Sequence, residues 1–377
     1  PSEKARALVM RAAYAEDVQG DVEVAKGSAL EALAATKESE TDVPEQGTVA
    51  LTLELLAAKL GDAALREEGL SLRTKNAADP TWKGLLLLDI AQMAAAQGEV
   101  ERALAIYDEA RALGSQATFA AALAQERLAK ADPGLPGTDE QRARSEAYAS
   151  ALEAQAAIVG EALAEMPNAP PTGALSDRAK ELGVPRWALH RAFLVDAYLR
   201  AAEVRRVRGE LGRAATLLDR AIEAVPEPPP VTDDAPTETR VVADTLLRDA
   251  VISARMRVAE LLGDTAHAAA LADMRLQHES DGPTAAALSM RMAEQAASEG
   301  EAGRALEAVA RAVKHNLACV PARALQLDIL ADSGDAGAYA EQLEALSDAY
   351  ANDDARGRAF LLSAFVWAVR AGDPSAA

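Results

Sequence analysis

The residues of this chain that could do chemistry are few: four histidines, one cysteine and some clustered carboxylates. His267 and His278 are eleven residues apart, a spacing that places both on about the same face of a helix, where they could share a metal ion. A solvated pair is the simpler interpretation, because the last turn of a helix favours a cation. Cys319 has no second cysteine to pair with, which excludes an intrachain disulfide and a thiolate metal cluster.

The sequence motifs of common catalytic and cofactor sites are absent. We find no GxGxxG segment after a strand, no phosphate-binding loop, no HExxH, no CxxC and no GxSxG. The acidic pairs Asp233–Asp234 and Asp353–Asp354 lack the ligand spacing of a calcium loop, so they are interpreted as a polar loop and a helix start. We therefore predict no catalytic residue, no cofactor and no metal site, and an α/α helical enzyme is the least favoured function.

Composition and charge narrow the class of partner. The chain has 377 residues and 50% of them are hydrophobic, but only 3% are aromatic, so alanine and leucine must fill its interior. A formal net charge of −20 argues against a nucleic-acid partner, because phosphate recognition needs a basic face. The region 186–220 departs from this acidity, with eight arginines against four carboxylates. It could attract an acidic peptide, although pairing with neighbouring acidic helices is the preferred interpretation.

Two segments bear on the location of the protein. Residues 1–20 are too charged for a signal peptide, and the missing initiator methionine suggests a chain that begins within a longer protein. The apolar run 359–369 is far shorter than the roughly 20 residues that cross a bilayer. We expect no membrane span and a cytoplasmic location, with the periplasm as the alternative.

The elements that must position any binding residue are amphipathic helices joined in pairs. In the central stretch 186–226, apolar residues recur at steps of three and four on both sides of Gly209, which predicts two helices folded back on each other there. Two-residue alternation of β-branched residues is nearly absent, so we expect no sheet. Because one helix pair cannot cover its own apolar stripe, neighbouring pairs are expected.

A turn glycine followed by an acidic residue recurs along the chain, and five of the seven intervals are 34 to 41 residues long. Glycine accepts the positive φ of a helix end, and the acidic residue favours the positive end of the next helix dipole. Small residues such as Ala214 and Ala221 follow at fixed distances and let two helices approach closely. The turns are Gly20–Asp21, Gly61–Asp62, Gly98–Glu99, Gly209–Glu210, Gly263–Asp264, Gly300–Glu301, Gly334–Asp335 and Gly372–Asp373.

The segment 209–226, GELGRAATLLDRAIEAVP, resembles the second helix of a tetratricopeptide (TPR) repeat. The positions that the family marks are occupied by Gly209, Glu210, Ala214, Leu218, Ala221 and Pro226. The resemblance is clearest at 98–114, 196–226 and 300–313. It implies an all-α fold: an α-solenoid, or right-handed superhelix, of about eight helical hairpins, whose first helices line the concave side.

The predicted helices divide the chain into three segments. TPR-like hairpins are expected at 1–114, an irregular unit with one long helix and a Pro/Gly loop at 115–183, and further hairpins at 184–377. Two proline-rich segments, 166–176 and 227–239, are predicted to be loops without regular structure.

The resemblance implies that a partner peptide or helix lies in the groove lined by first helices. Residues three, six and ten before a turn glycine are expected on that inner face. The open C-terminal end is the second candidate, because the last helix, 355–371, has no second helix after it, and further chain or another subunit is expected to pack there. The partner-binding candidates are Gln92, Leu199, Glu203, Arg206, Ser253, Arg257, Glu260 and Glu294 on the inner face, and Phe360, Phe365 and Trp367 at the end.

The leading hypothesis is a non-enzymatic protein–protein interaction scaffold that binds a protein or peptide partner. Arg206 and Arg257 are expected to anchor a carboxylate of the partner, because a guanidinium group can hold it at two points. The alternative is a regulatory or sensor repeat segment of a larger signalling or transcription-regulating protein.

Overall fold

The structure is a computed structural model of the chain. It describes residues 2–37, 45–165, 175–226, 239–279 and 281–371. These residues form eighteen α-helices, one 3₁₀ turn and no strand, so the predicted all-α class is confirmed for them. The loop predicted at 227–239 and the turn at Gly372–Asp373 fall outside the described residues, as does most of the segment 166–176.

The helices follow one another with short connections. The first nine are α1 (Ser2–Asp17), α2 (Val22–Lys37), α3 (Glu45–Leu60), α4 (Ala63–Asn76), α5 (Pro80–Ala96), α6 (Val100–Ala112), α7 (Thr118–Ala131), α8 (Asp139–Ala164) and α9 (Asp177–Glu181). The others are α10 (Arg191–Val207), α11 (Leu211–Ala224), α12 (Thr239–Leu262), α13 (Thr265–Leu276), α14 (Gly282–Ser298), α15 (Ala302–His315), α16 (Val320–Ser333), α17 (Ala336–Ala349) and α18 (Asp353–Val369).

One helix start differs from the prediction. The central pair was expected to begin at residue 186, but a 3₁₀ turn occupies Arg186–Ala188 and α10 begins at Arg191. His190 explains this start, because its Nδ1 accepts a hydrogen bond from the backbone N–H of Phe193 at 3.1 Å and so caps the new helix.

The chain divides into two compact units, Pro1–Val204 and Arg205–Ala377. In the first unit each helix packs against the next one along the chain, from α1 to α9. In the second unit the same order runs from α11 to α18. Packing between successive helices is the arrangement of stacked hairpins, and the fold is TPR-like, as the sequence resemblance implied.

The turn glycines have the conformation that the sequence predicts. All seven that lie in the described residues have positive φ, between 64° and 81°. The acidic residue after the glycine acts differently according to its length. Asp62 and Asp264 accept a hydrogen bond from a backbone N–H in the first turn of α4 and α13, whereas Glu99 and Glu301 make no such bond and pair instead with an arginine three residues later.

Alanine forms the contact layers between helices. The alanines that follow five of the turn glycines by five or twelve positions are at most 5% exposed. They are Ala25, Ala32, Ala103, Ala110, Ala214, Ala221, Ala268, Ala305 and Ala312. Larger side chains such as Leu53, Phe119 and Ile252 fill the spaces between these layers.

The first helix of a pair also touches the first helix of a neighbouring pair. This contact joins α1 to α3 and α5 to α7 in the first unit, and α14 to α16 in the second. Ion pairs add to it: Lys59 of α3 with Glu16 of α1, and Arg291 of α14 with Glu260 of α12 at 3.0 Å. We call the exposed side of α1, α3, α5 and α7, or of α12, α14 and α16, the first-helix face of its unit. The opposite side, formed by α2, α4 and α6 or by α13, α15 and α17, is the second-helix side.

Candidate partner-binding surfaces

The predicted inner-face residues lie on α5, α10, α12 and α14, and they are distributed over both units. Their side chains differ in exposure. Those that are exposed are Gln92, Glu203, Arg257, Glu260 and Glu294, and those that are half-buried are Leu199, Arg206 and Ser253. The first-helix face of the second unit is thus mainly polar.

Two of the second-unit candidates have partners within the chain. Glu260 pairs with Arg291 on the next first helix, and the Ser253 hydroxyl accepts a hydrogen bond from Arg275 Nη1 at 2.9 Å. Arg257 and Glu294 make no ion pair or hydrogen bond among the described residues, so their charges remain available to a ligand. Of the two predicted carboxylate anchors, Arg257 is therefore the better placed.

Ion pairs within the chain occupy most of the arginine-rich region 186–220. In the second unit, Glu210 accepts hydrogen bonds from Arg205, which is fully buried, at 2.9 Å and from Arg208 at 2.7 Å. In the first unit, Arg200 pairs with Glu126 and donates to the Tyr148 hydroxyl. Burial opposes the charge of Arg200, but these two hydrogen bonds outweigh it and raise its pKa. These contacts support the interpretation that the arginines pair with neighbouring helices.

The histidine pair does not share a helix. Helix α13 was expected to reach residue 279, but it ends at Leu276, and His278 lies beyond it. His278 follows the C-cap residue Gln277 and lies in the connection to α14. In the described part of the chain no three His, Cys, Asp or Glu residues are grouped so that they could hold a metal ion.

A carboxylate with a raised pKa, Asp249, lies near His278. Burial is the main cause, and Glu279 adds to it, whereas Arg275 and His278 act in the opposite direction. Arg275 pairs with Glu279 at 3.1 Å while it donates to Ser253, so this polar network connects α12 to the end of α13. Because Arg275 bonds to Glu279 and to Ser253 of the same chain, this network has the geometry of a structural contact between helices.

Sequence reasoning missed an apolar part of the first-helix face. The spacing rule, applied to Gly61, gives Leu55 and Leu51, which are 55% and 50% exposed. Applied to Gly20, it gives Tyr14 and Met10, which are 56% and 67% exposed. The signal was in the sequence: these positions have large apolar side chains where the second unit has serine, arginine and glutamate.

These four residues define the N-terminal apolar patch. They lie on the exposed sides of α1 and α3, two helices that are in direct contact. On α5, Leu85 is 43% exposed and lies two turns from the exposed Gln92 on the same side of the helix. Single exposed leucines are ordinary, but a group on adjacent helices is typical of a surface that binds protein.

The aromatic residues of α18 fall into two groups. Trp367 packs against α17, and its Nε1 donates a hydrogen bond to Glu344 Oε1 at 2.9 Å. Phe360 and Phe365 are 45% and 55% exposed. Trp367 therefore attaches α18 to the stack, while about half of each phenylalanine side chain remains exposed.

The exposed side of α18 is continuous along the helix. Besides the phenylalanines it presents Leu361, Leu362 and Val369, whereas Ala359, Ser363 and Val366 are buried. In the part of the chain that the structure describes, α18 packs mainly against α17. This side of α18 is the second candidate surface.

Of three kinds of known protein, namely family models, curated proteins and solved structures, only solved structures are similar to this chain. No protein-family model matches the sequence, and no curated protein matches it significantly. Among solved structures, a tetratricopeptide repeat protein from Parabacteroides merdae is 14% identical, with a TM-score of 0.26, and covers 87% of this chain and 99% of its own. Yeast Tom70 is 11% identical, with a TM-score of 0.23 and coverages of 97% and 96%.

A third structure, the TPR2AB-domain:pHSP90 complex of yeast Sti1, is 10% identical, with a TM-score of 0.26 and coverages of 85% and 99%. At these TM-scores the similarities carry no argument about the fold or the ligand of this chain. In the described residues, no helix has both the length and the apolar character that crossing a bilayer requires.

Proposed function

We propose that this protein is a non-enzymatic protein–protein interaction scaffold whose first-helix face binds a helix or an extended segment of a protein partner. The observation that carries the proposal is the N-terminal apolar patch, where four large side chains, each at least half exposed, lie on two adjacent helices. The net charge of −20 supports a protein rather than a nucleic acid as the partner.

The proposed partner segment has two kinds of side chain. Apolar residues cover Leu51 and Leu55, and polar residues reach Gln92 on α5. In the second unit, a separate polar contact is expected at Arg257 and Glu294, whose charges have no partner in the described residues. Charged contacts of this exposed kind fix orientation and specificity more than affinity.

The test uses site-specific photo-crosslinking followed by a binding measurement. A photoreactive amino acid at Leu51 or Leu55 should capture one and the same protein in the source cells, and the same amino acid at Leu30 on α2, which is 40% exposed, should not. With that protein purified, the double variant Leu51→Ser and Leu55→Ser should raise the Kd by roughly 10- to 150-fold, because covering the exposed half of each leucine contributes about 0.75 to 1.5 kcal/mol.

The matched control is Leu30→Ser, which removes an exposed leucine from a second helix. It should leave the Kd unchanged within a factor of about two, as for a residue outside an interface. Equal affinity in the double variant and the wild type would disprove binding at the patch.

A second candidate function, a regulatory or sensor segment of a larger protein, is favoured by the exposed side of α18. Further chain or another subunit packing on Phe360 and Phe365 would bury an apolar surface that the described helices leave open. The two functions are compatible, since the two surfaces belong to different units.

A further inference from the structure

A cleft of about 410 Å³ opens on the second-helix side of the first unit. It lies between α4 and α6, and α5 forms its floor. The residues of α5 that line it, Lys83, Leu87 and Ile90, recur at steps of four and three on the side of the helix opposite to Leu85 and Gln92. The cleft is therefore separate from the first-helix face.

The cleft combines an apolar floor with a basic rim. Leu87 and Ile90 are buried beneath it, and Ile106 of α6 is half-buried at its wall. Lys75 of α4 is exposed, and Lys83 is half-buried. A floor and rim of this kind suit a ligand that has an apolar side chain next to negative charge.

Two lysines carry the available positive charge of the lining. Neither ammonium group makes an ion pair or hydrogen bond in the described part of the chain, in contrast to those of Lys26, Lys59 and Lys180, which pair with carboxylates. In a chain with a net charge of −20, two ammonium groups in one cleft without a partner in the described residues offer a local positive charge to an acidic ligand.

The other charged residues of the cleft do not form ion pairs with the two lysines. Arg102, also at the rim, is paired with Glu67 and, at 2.7 Å, with Glu99. Glu109 lines the cleft but makes no ion pair with either lysine. The lining thus offers two available positive charges against one carboxylate.

A cleft between the corresponding helices of the second unit has the opposite character. It measures about 330 Å³, lies between α13 and α15 above α14, and is lined by Asp273 and Glu299 besides Arg304. Counted from the turn glycines, the two linings share three positions, and those of Lys75 and Lys83 are not among them. The two lysines are thus particular to the first cleft and make it basic.

We propose that the cleft of the first unit binds a short acidic peptide segment of a protein partner. Two carboxylates of the segment contact Lys75 and Lys83, and an apolar side chain between them covers Ile106. Ammonium groups act as point charges and accept carboxylates from several directions, which suits an open cleft that a flexible peptide crosses.

The experiment measures binding of a fluorescein-labelled octapeptide of glutamate and leucine by fluorescence anisotropy, at low salt, to the full chain. The double variant Lys75→Glu and Lys83→Glu should bind at least tenfold more weakly than the wild type. The charge-matched control, Lys130→Glu with Lys314→Glu, changes two exposed lysines that make no ion pair in the described residues and should bind like the wild type.

Two further arms identify the chemistry and the place. A peptide with glutamine instead of glutamate should bind at least tenfold more weakly, and the variant Leu51→Ser with Leu55→Ser should bind the acidic peptide like the wild type. Failure of the wild type to bind the peptide, equal weakening by both lysine pairs, or loss of binding in the leucine variant would each overturn the proposal. The last result would place the peptide on the first-helix face instead.

Discussion

Single glycines decide how closely some helices of this protein approach. Gly84 of α5 is buried, and a Cβ added there would lie 2.6 Å from the Cβ of Ala117 and 3.1 Å from the hydroxyl of Ser115. Ala117 is the N-cap residue directly before α7, so the contact between these two first helices depends on the missing side chain. Gly27, in the middle of α2, has no atom within 4 Å of the same added Cβ.

We predict opposite effects of alanine at these two glycines. Gly84→Ala should lower the free energy of unfolding by about 1 to 3 kcal/mol, because the helices must move apart. Gly27→Ala should raise it by up to about 1 kcal/mol, because alanine favours a helix and nothing obstructs its methyl group. Urea denaturation followed by circular dichroism measures both. Effects of the same sign would show that the close approach at Gly84 is relaxed in solution.

Residue types alone did not reveal which polar side chains are already bonded to other groups of the same chain. Arg205 was part of an arginine-rich region in the sequence, yet it is fully buried beside Glu210. Its burial depends on helices that pack over it, and a pattern within one helix does not contain that information. The lysine-lined cleft was missed for the same reason, since its residues come from three helices that lie side by side.

At the scale of the element, the turns were the most predictable feature. A glycine followed by an acidic residue acts within a few residues of itself, so the positive φ of seven glycines could be read from the sequence. Helix ends that depend on tertiary structure were less predictable. The start of α10 required His190 as a cap, and α13 ends at Leu276, before it reaches His278.

The aromatic residues of α18 show the same limit. The sequence grouped Trp367 with Phe360 and Phe365 because all three are in one helix. The structure separates them by their contacts, since Trp367 donates a hydrogen bond to Glu344 of α17, whereas about half of each phenylalanine side chain stays exposed. Which side packs is decided by the neighbouring helix.

This separation leads to a prediction for α18. Phe360→Ser with Phe365→Ser should lower the free energy of unfolding less than Trp367→Ala does, because about half of each phenylalanine side chain is already exposed. Trp367→Ala, which removes a packed ring and its hydrogen bond to Glu344, should cost about 2 kcal/mol or more. Equilibrium unfolding compares them. Equal destabilisation by both changes would mean that the phenylalanines are covered by this same chain.

At the scale of the whole molecule, stability is distributed along the chain rather than concentrated in one core. Each helix packs mainly on its neighbours in sequence, and the apolar clusters are separate. One cluster contains Leu53 of α3, and another contains Leu343 of α17. Proteins built in this way lose structure locally when one layer is weakened.

We therefore predict local effects of core substitutions, measured by hydrogen exchange with mass spectrometry. Leu53→Ala, at a fully buried position, should cost about 2 to 5 kcal/mol and reduce protection in α1 to α4, while α16 to α18 keep theirs. Leu343→Ala should do the reverse. Reduced protection along the entire chain in either variant would show that the two units unfold together.

The two clefts of opposite charge have a consequence for how such a chain acquires ligands. The alanines that hold the helices together and the side chains that give a cleft its charge occupy different sides of the same helices. A few exchanges at a rim can thus reverse the electrostatic preference of one repeat while its neighbours and the alanine layers stay intact. Each repeat can therefore acquire a ligand specificity of its own, by evolution or by engineering, while the other repeats stay unchanged.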